Sequence, residues 1–162
     1  MHKTVYLSLG SNLGDREENL RSAIAKLAEF GNVVAVSSFY ETEPVDVPAQ
    51  QPWYLNCAVK FETEKMPRQL MSAILTLEQS MGRQRRPNKG ARTIDIDVLL
   101  FGSSVIELPA LTVPHPRMHQ RRFVLEPLSE IAPDARHPVF KRTLRELRDA
   151  LSPGQTVRKL TK

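Results

Sequence analysis

Asp95 and Asp97 stand two residues apart at the end of Gly82–Arg92, a segment carrying Arg83, Arg85, Arg86, Lys89 and Arg92 without an acid. On a β-strand, alternate side chains share a face. The segment G-A-R-T-I-D-I-D-V-L-L-F, Gly90 to Phe101, therefore presents both carboxylates together, with Ile94, Ile96 and Val98 on the other face. Two residues of rise is about 6.5 Å, close enough for two acids to share one cation. Hard oxygen donors in this arrangement suit Mg²⁺, which takes a few carboxylates, waters and substrate phosphates. Cations for phosphate oxygens beside carboxylates for a metal form the constellation of phosphoryl transfer, where catalysis is mostly positioning and charge neutralisation. Leu99 and Phe101 continue the parity of the acids, so that face is expected to turn apolar, leaving the pair at the strand's N-terminal end.

The elements that position this pair can be read from the chain. Val5, Leu7 and Leu9 alternate in a strand over Thr4–Leu9 that is expected to stop at Gly10. The turn G-S-N-L-G follows, and Asp15 with Glu18 makes a capping-box pattern. It opens a helix with Leu20, Ala23, Ile24, Leu27 and Phe30 at helical spacing and Gly31 as its C′ glycine. Val33–Glu41 and Tyr54–Thr63 read as strands. The connection between them carries Pro44, Pro48 and Pro52, which stiffen it and suit it to present a shape. Pro67 sits at N1 of a second helix with the stripe Leu70, Ala73, Ile74, Leu77 and Met81, ended by Gly82. Glu78 opposes the macrodipole near that helix's end, which calls for a basic partner or a functional role. The order predicts an α+β fold with a ferredoxin-like β-α-β-β-α-β core, an antiparallel sheet with helices packed against it. A hairpin strand near Val105 and Ile106 and an additional C-terminal helix over Thr143–Leu151 follow, and the end beyond Pro153 is expected to fray.

With 162 residues and no repeat or linker, the simplest division is one domain, residues 1–162. A net charge of +5 favours an anionic partner, nucleotide or nucleic acid. No apolar run approaches the ~20 residues of a membrane helix, and the N-terminus shows no long apolar signal region. The single Cys57 excludes an intrachain disulfide and reads as a core residue. The expectation is a cytoplasmic protein with no membrane association. The prolines flanking His115 argue against a helical zinc pair.

Five motifs, one of them holding the acid pair, stand along the chain: L-G-S-N-L-G at Leu9–Gly14, S-S-F-Y-E-T-E-P at Ser37–Pro44, Y-L-N at Tyr54–Asn56, G-A-R-T-I-D-I-D at Gly90–Asp97 and T-V-P-H-P at Thr112–Pro116. Across nearly its whole length the chain resembles the bacterial 6-hydroxymethyl-7,8-dihydropterin pyrophosphokinases, which move a pyrophosphoryl group from ATP to a pterin alcohol in folate biosynthesis. The resemblance implies an ATP- and Mg²⁺-dependent transferase that releases AMP. It assigns Asp95 and Asp97 to two Mg²⁺ ions on the ATP phosphates. Asn56 would read the pterin edge, Tyr54 and Phe123 would sandwich its ring, and backbone groups at Thr42 and Val45 would complete its pocket. Glu78, Thr112 and His115 would contact the nucleotide, and Arg83, Arg85, Arg92 and Arg121 would meet phosphates, with Arg83 and Arg92 catalytic. Its partners would be ATP and a dihydropterin, without nucleic acid or an obligate protein partner. The chain departs from the family pattern at Lys89, Pro116 and Leu75, where some members carry an aromatic, a tyrosine and a glutamine. Two other readings share some of these features. An RNA-recognition module uses the same element order but places aromatics where this chain has D-x-D. A metal-dependent phosphohydrolase would use the same acids with water as acceptor.

Overall fold

The computed structural model describes residues 2–43, 52–82 and 93–160. Strand β1 (Lys3–Ser11) continues through Gly10. Asp15 caps α1 (Arg16–Leu27), its carboxylate accepting the Glu18 amide at 3.1 Å. The helix ends at Leu27, with Ala28 as a right-handed cap, and not at Gly31. Gly31 is required for another reason. A Cβ there would lie 2.1 Å from the Phe61 ring and 2.7 Å from the Glu62 carbonyl, so the glycine admits a close crossing where the left-handed cap was expected.

The single strand expected over Val33–Glu41 is two, β2 (Asn32–Val36) and β3 (Tyr40–Thr42), both paired with β4 (Tyr54–Thr63). Ser37 makes the break: its amide donates to the Ala58 carbonyl at 2.9 Å while its hydroxyl accepts the Ala58 amide at 2.8 Å. A side chain thus replaces one ladder bond, and the chain steps sideways. Helix α2 (Pro67–Ser80) begins on Pro67, and Gly82 at φ +84° turns the chain away past its end. Strand β5 (Asp95–Phe101) completes the core. The antiparallel sheet runs β5-β1-β4-β3-β8, where β8 is Val157–Lys159, with β2 also on β4, which is the ferredoxin-like order expected. Strands β6 (Ile106–Leu108) and β7 (Leu111–Val113) form a separate hairpin.

Helices cover both faces of the sheet. On one, Leu20, Ala23 and Leu27 of α1 and Leu70, Ile74 and Leu77 of α2 bury Val5, Leu7, Leu9, Leu55, Cys57, Val59 and Phe61. On the other lie α3 (Arg122–Ile131), which the basic run Arg117–Arg122 and Pro127 concealed, and α4 (Leu144–Asp149). Their Val124, Leu125, Leu128, Leu144 and Leu147 pack on Ala58, Leu99 and Leu100. Thr143 and Glu146 form the reciprocal capping box of α4, a shorter helix than expected. Phe101 does not share the acids' face. A bulge against β1 between Tyr6 and Leu7 adds Leu99 to β5, so Leu99 stays on the acid side while Phe101 pairs with Val5 over the α1/α2 core. The end expected to fray supplies β8 (Val157–Lys159), a sixth strand on β3.

Candidate active site

Residues opposite each other in antiparallel pairs project from the same face. Gly10 of β1 pairs with Asn56 on one side and with Asp95 on the other, and Ser8 likewise lies between Ala58 and Asp97. Tyr40 opposes Asn56, and Thr42 opposes Tyr54. Thr42, Tyr54, Asn56, Gly10, Asp95 and Asp97 therefore share the face that α3 partly covers. Two strand spacings, roughly 10 Å, separate the Asn56 column from the acid column. Gly10 is the floor between them. A Cβ at this position would meet Asn56 Nδ2 at 2.6 Å and the Tyr54 ring at 3.3 Å.

The amide column is tightly determined. The Thr42 hydroxyl donates to Asn56 Oδ1 at 2.6 Å, and Asn56 Nδ2 donates to the Leu9 carbonyl at 3.4 Å, both with buried partners. These contacts fix which way the amide faces, and each terminus retains capacity for one more partner. An amide oriented in this way offers a donor and an acceptor side by side. Tyr54 is half-buried beside it, and Phe123 lies in the first turn of α3, half-buried at the margin of the α3 core. The Arg121 guanidinium sits 5.5 Å above the Phe123 ring. Pro127 removes the amide that would otherwise bond the Phe123 carbonyl in the helix.

At the other column both aspartates are half-buried at the start of β5. Glu78, 2 % exposed, accepts the amide of Ile96 between them at 2.8 Å, so α2 fixes the backbone of the acid pair from behind. The role sought for Glu78 includes this bond to a backbone group. Along the outer edge of β5 the His115 amide donates to the Leu99 carbonyl at 2.9 Å, hanging the T-V-P-H-P segment beside the acids. Burial, with the Arg121 charge next, pushes the His115 imidazole down to about 4, against the opposing pull of Asp95. Its Nδ1 accepts the Arg117 amide at 3.1 Å. Thr112 is exposed on β7.

The structure thus brings Thr42, Tyr54, Asn56, Asp95 and Asp97 onto one sheet face and sets Glu78, His115, Arg121 and Phe123 around it. Val45, Arg83, Arg85 and Arg92 lie outside the described residues, as do Lys89, Pro44 and Pro48. Three contributors escaped the sequence reading. Gly10 was taken as a strand stop and is the gap between the columns. Asn12 and Arg16 donate to the carbonyls of Pro52 and Trp53 at 3.3 and 2.9 Å, anchoring the approach to Tyr54. Their signal lay in L-G-S-N-L-G, whose turn needs Gly14 at φ +72°. Among the described residues no helix is long and apolar enough to cross a membrane.

Residues 6–133 match the family described as 7,8-dihydro-6-hydroxymethylpterin-pyrophosphokinase. The 2-amino-4-hydroxy-6-hydroxymethyldihydropteridine pyrophosphokinase of Bacillus subtilis is 46% identical over 133 residues, covering 81% of this chain and 79% of that one. Its Aquifex aeolicus counterpart is 40% identical, with 90% of each chain covered. The folic acid synthesis protein fol1 of Schizosaccharomyces pombe is 41% identical over 97% of this chain, which spans only 21% of that longer protein. Solved structures share the fold. An HPPK-DHPS protein in complex with substrates aligns over 93% of this chain and 43% of its own with a TM-score of 0.72 at 15% identity. Plasmodium falciparum HPPK-DHPS with pteroate aligns over 92% and 42% with a TM-score of 0.74 at 17% identity. With the amide column and the acid pair on one face of a ferredoxin-like sheet, and with this match over most of its length, the chain belongs to the 7,8-dihydro-6-hydroxymethylpterin-pyrophosphokinase family.

Proposed function

We propose that the chain transfers the pyrophosphoryl group of ATP to the hydroxymethyl oxygen of 6-hydroxymethyl-7,8-dihydropterin, a step of folate synthesis. The hydroxyl oxygen bonds to the β-phosphorus as the bond from that phosphorus to the α,β-bridging oxygen breaks. AMP leaves, and the hydroxyl proton is released. The observation that carries this reading is the separation of an oriented amide from an acid pair by roughly 10 Å across Gly10, room for a bicyclic heterocycle whose side arm points toward the acids.

Asn56, held by Thr42 and Leu9, reads the donor and acceptor edge of the pterin. Tyr54 and Phe123 take the two faces of its ring, and backbone groups at Thr42 and Val45 complete the pocket. His115, kept neutral by burial and Arg121, presents a hydrogen-bonding imidazole to the nucleotide without adding a charge. Glu78 and Thr112 join it there. Arg83, Arg85, Arg92 and Arg121 supply planar forks to phosphate oxygens, and closure of such groups over the nucleotide would exclude water.

The donor set fits Mg²⁺. Two half-buried carboxylates occupy alternate positions of one strand, and no group of three or more His, Cys, Asp and Glu side chains forms a metal cage among the described residues. Such a pair leaves coordination sites for waters and phosphates. Asp95 and Asp97 would hold two Mg²⁺ ions, which when bound neutralise charge on the triphosphate. The cytoplasm is the compartment proposed. Cys57 is a core residue, its thiol pushed up to about 12 by burial.

With ATP, Mg²⁺ and the dihydropterin, the protein should release one AMP for each pterin diphosphate formed. Release of ADP would overturn the reading, because only attack at the β-phosphorus yields AMP. Pterin-independent ATP hydrolysis would instead support a phosphohydrolase.

A further inference from the structure

The C-terminal segment 155–160 touches β3 and the residue before Tyr54. Val157, Arg158 and Lys159 pair with Thr42, Glu41 and Tyr40, and the Leu160 amide donates to the Phe39 carbonyl at 2.8 Å. Next to Thr42, the Glu43 amide donates to the Thr156 carbonyl at 3.1 Å, and Gln155 Nε2 donates to the Glu43 carbonyl at 2.6 Å. The Arg158 guanidinium lies over the Trp53 ring at 4.9 Å. The Trp53 carbonyl accepts from Arg16, which also faces Glu41 at 3.8 Å. Glu41 and Arg158 are opposite each other in the β3–β8 pair. One exposed arginine on the last strand thus connects the strand that carries Thr42 to the residue that precedes Tyr54.

A three-residue strand such as β3 holds its register weakly by itself, and β8 gives it a second paired edge. On β3, register decides function. If Thr42 slides, its hydroxyl leaves Asn56 Oδ1 and the amide loses the contact that orients it. Trp53 immediately precedes Tyr54, the first residue of β4, so its anchorage holds the chain where the tyrosine enters the sheet. Nothing in segment 155–160 lies on the row of Asp95 and Asp97, which three intervening strands separate from β8 in the sheet order.

We infer that β8, through Arg158 stacked on Trp53, is a positioning element for the pterin side of the site, setting Thr42 and Tyr54 relative to Asn56. This rests on the functional reading above. The contribution is selective by geometry: it acts on pterin affinity and leaves the nucleotide side untouched.

Trp53 is the chain's one tryptophan, so its fluorescence reports the clamp without reference to activity. Arg158→Ala should raise acrylamide quenching of Trp53. It should raise the pterin KM about five- to tenfold, the scale of one lost cation–π contact, with kcat and the ATP KM within about twofold. Arg158→Lys, which keeps a cation without the planar stack, should fall between. The Trp53→Phe, Arg158→Ala pair should be no worse than Arg158→Ala alone, since the second change acts on the same contact. Two results would overturn the proposal while leaving the functional reading intact: a pterin KM in Arg158→Ala equal to that of the unaltered chain, or KM values for ATP and pterin rising together with a fall in Tm. Failure of the unaltered chain to turn over the pterin would remove both.

Discussion

The two faces of the sheet are made by the same three strands and differ in every respect that matters to function. Towards α1 and α2, β1, β4 and β5 present Val5, Leu7, Leu9, Leu55, Cys57, Val59, Phe61, Ile96 and Val98, all 4 % exposed or less. Towards α3 they present Tyr6, Ser8, Gly10, Tyr54, Asn56, Ala58, Asp95 and Asp97, becoming polar toward the end where β1 meets its turn. A fully buried aliphatic side chain contributes roughly 1.5–3 kcal/mol. Stability therefore concentrates on the first face, and the second can carry carboxylates and a bare glycine that would be poor choices in a core. The division of labour lies between alternate residues, and a one-residue register slip would destroy both functions.

The largest expected effect separates the faces most cleanly. Asp97→Ala should reduce turnover by a factor of about a thousand or more, some 4 kcal/mol of barrier, as the phosphate clamp loses a ligand. Its Tm should change by only a few degrees, because Asp97 is half-buried and belongs to neither hydrophobic core. An unchanged Mg²⁺ dependence and rate would refute the assignment of Asp97. The counterpart on the other face is Leu7→Ala, at a position with no exposure. It should cost about 3 kcal/mol of unfolding free energy in urea titrations, from lost burial and the cavity left behind. Wherever the variant remains folded, its kcat should stay near that of the unaltered chain. A large fall in kcat from Leu7→Ala would mean that the two faces are mechanically coupled and that the comparison is drawn too sharply.

What could be read from the sequence follows the same division. Period-two and period-3.6 patterns announced β1, β4, β5, α1 and α2, because one face of each is apolar and the pattern is local. The acid pair, Asn56 and Tyr54 were legible through spacing and motif. Features set by a neighbour distant in sequence were not. Gly10 and Gly31 both looked like punctuation, yet each is glycine because a side chain from β4 occupies the space of its Cβ. The Leu99 bulge leaves the alternation of D-I-D-V-L-L-F intact on paper and reverses its last two members in space. Helix α3 was hidden by Pro127, which in isolation reads as a break, and β8 by its three residues, too few to show a period.

The gap between the columns can be closed by a single methyl. Gly10→Ala would place its Cβ 2.6 Å from Asn56 Nδ2, and the amide, held by Thr42 and Leu9, must shift to admit it. The pterin KM should rise about tenfold, equivalent to ~1.4 kcal/mol, with a smaller change in the ATP KM because Asp95 and Asp97 keep their places. An unaltered pterin KM would show that Asn56 has slack and that its orientation is not what the pocket depends on.

The smallest effect concerns acid, and it should also fall on one face first. Burial pushes His115 down to about 4, helped by Arg121 and Arg117 and opposed by Asp95. Burial, followed by the His119 charge, also lowers His137, which stacks on Phe140 and accepts the Val139 and Phe140 amides at 3.2 Å through Nδ1. Both rings are thus neutral acceptors in the folded protein, whereas an unfolded histidine takes a proton near pH 6.5. Below that value the unfolded chain binds more protons, so the stabilisation is complete above about pH 6.5 and is lost as pH falls toward the lowered values. Glu130 acts in the same direction at lower pH. Although burial alone would raise it, hydrogen bonds from Tyr40 and Ser38 hold its carboxyl below the usual range, a stabilisation lost on protonation. Across from them, the α1/α2 core contributes Cys57, which does not titrate in this window. Lowering the pH from 7.5 to 5.5 should therefore reduce the unfolding free energy by about 1 kcal/mol after allowance for the partial exposure of His115. Hydrogen exchange should show the loss first in α3 and residues 113–121 and 134–143, before the interiors of β1 and β4. His137→Asn keeps an acceptor near the two amides without a titrating proton, so it should flatten the pH dependence in part. A steeper dependence in that variant, or protection lost equally from α1 and α2, would show that the acid response is not confined to the face that carries the site.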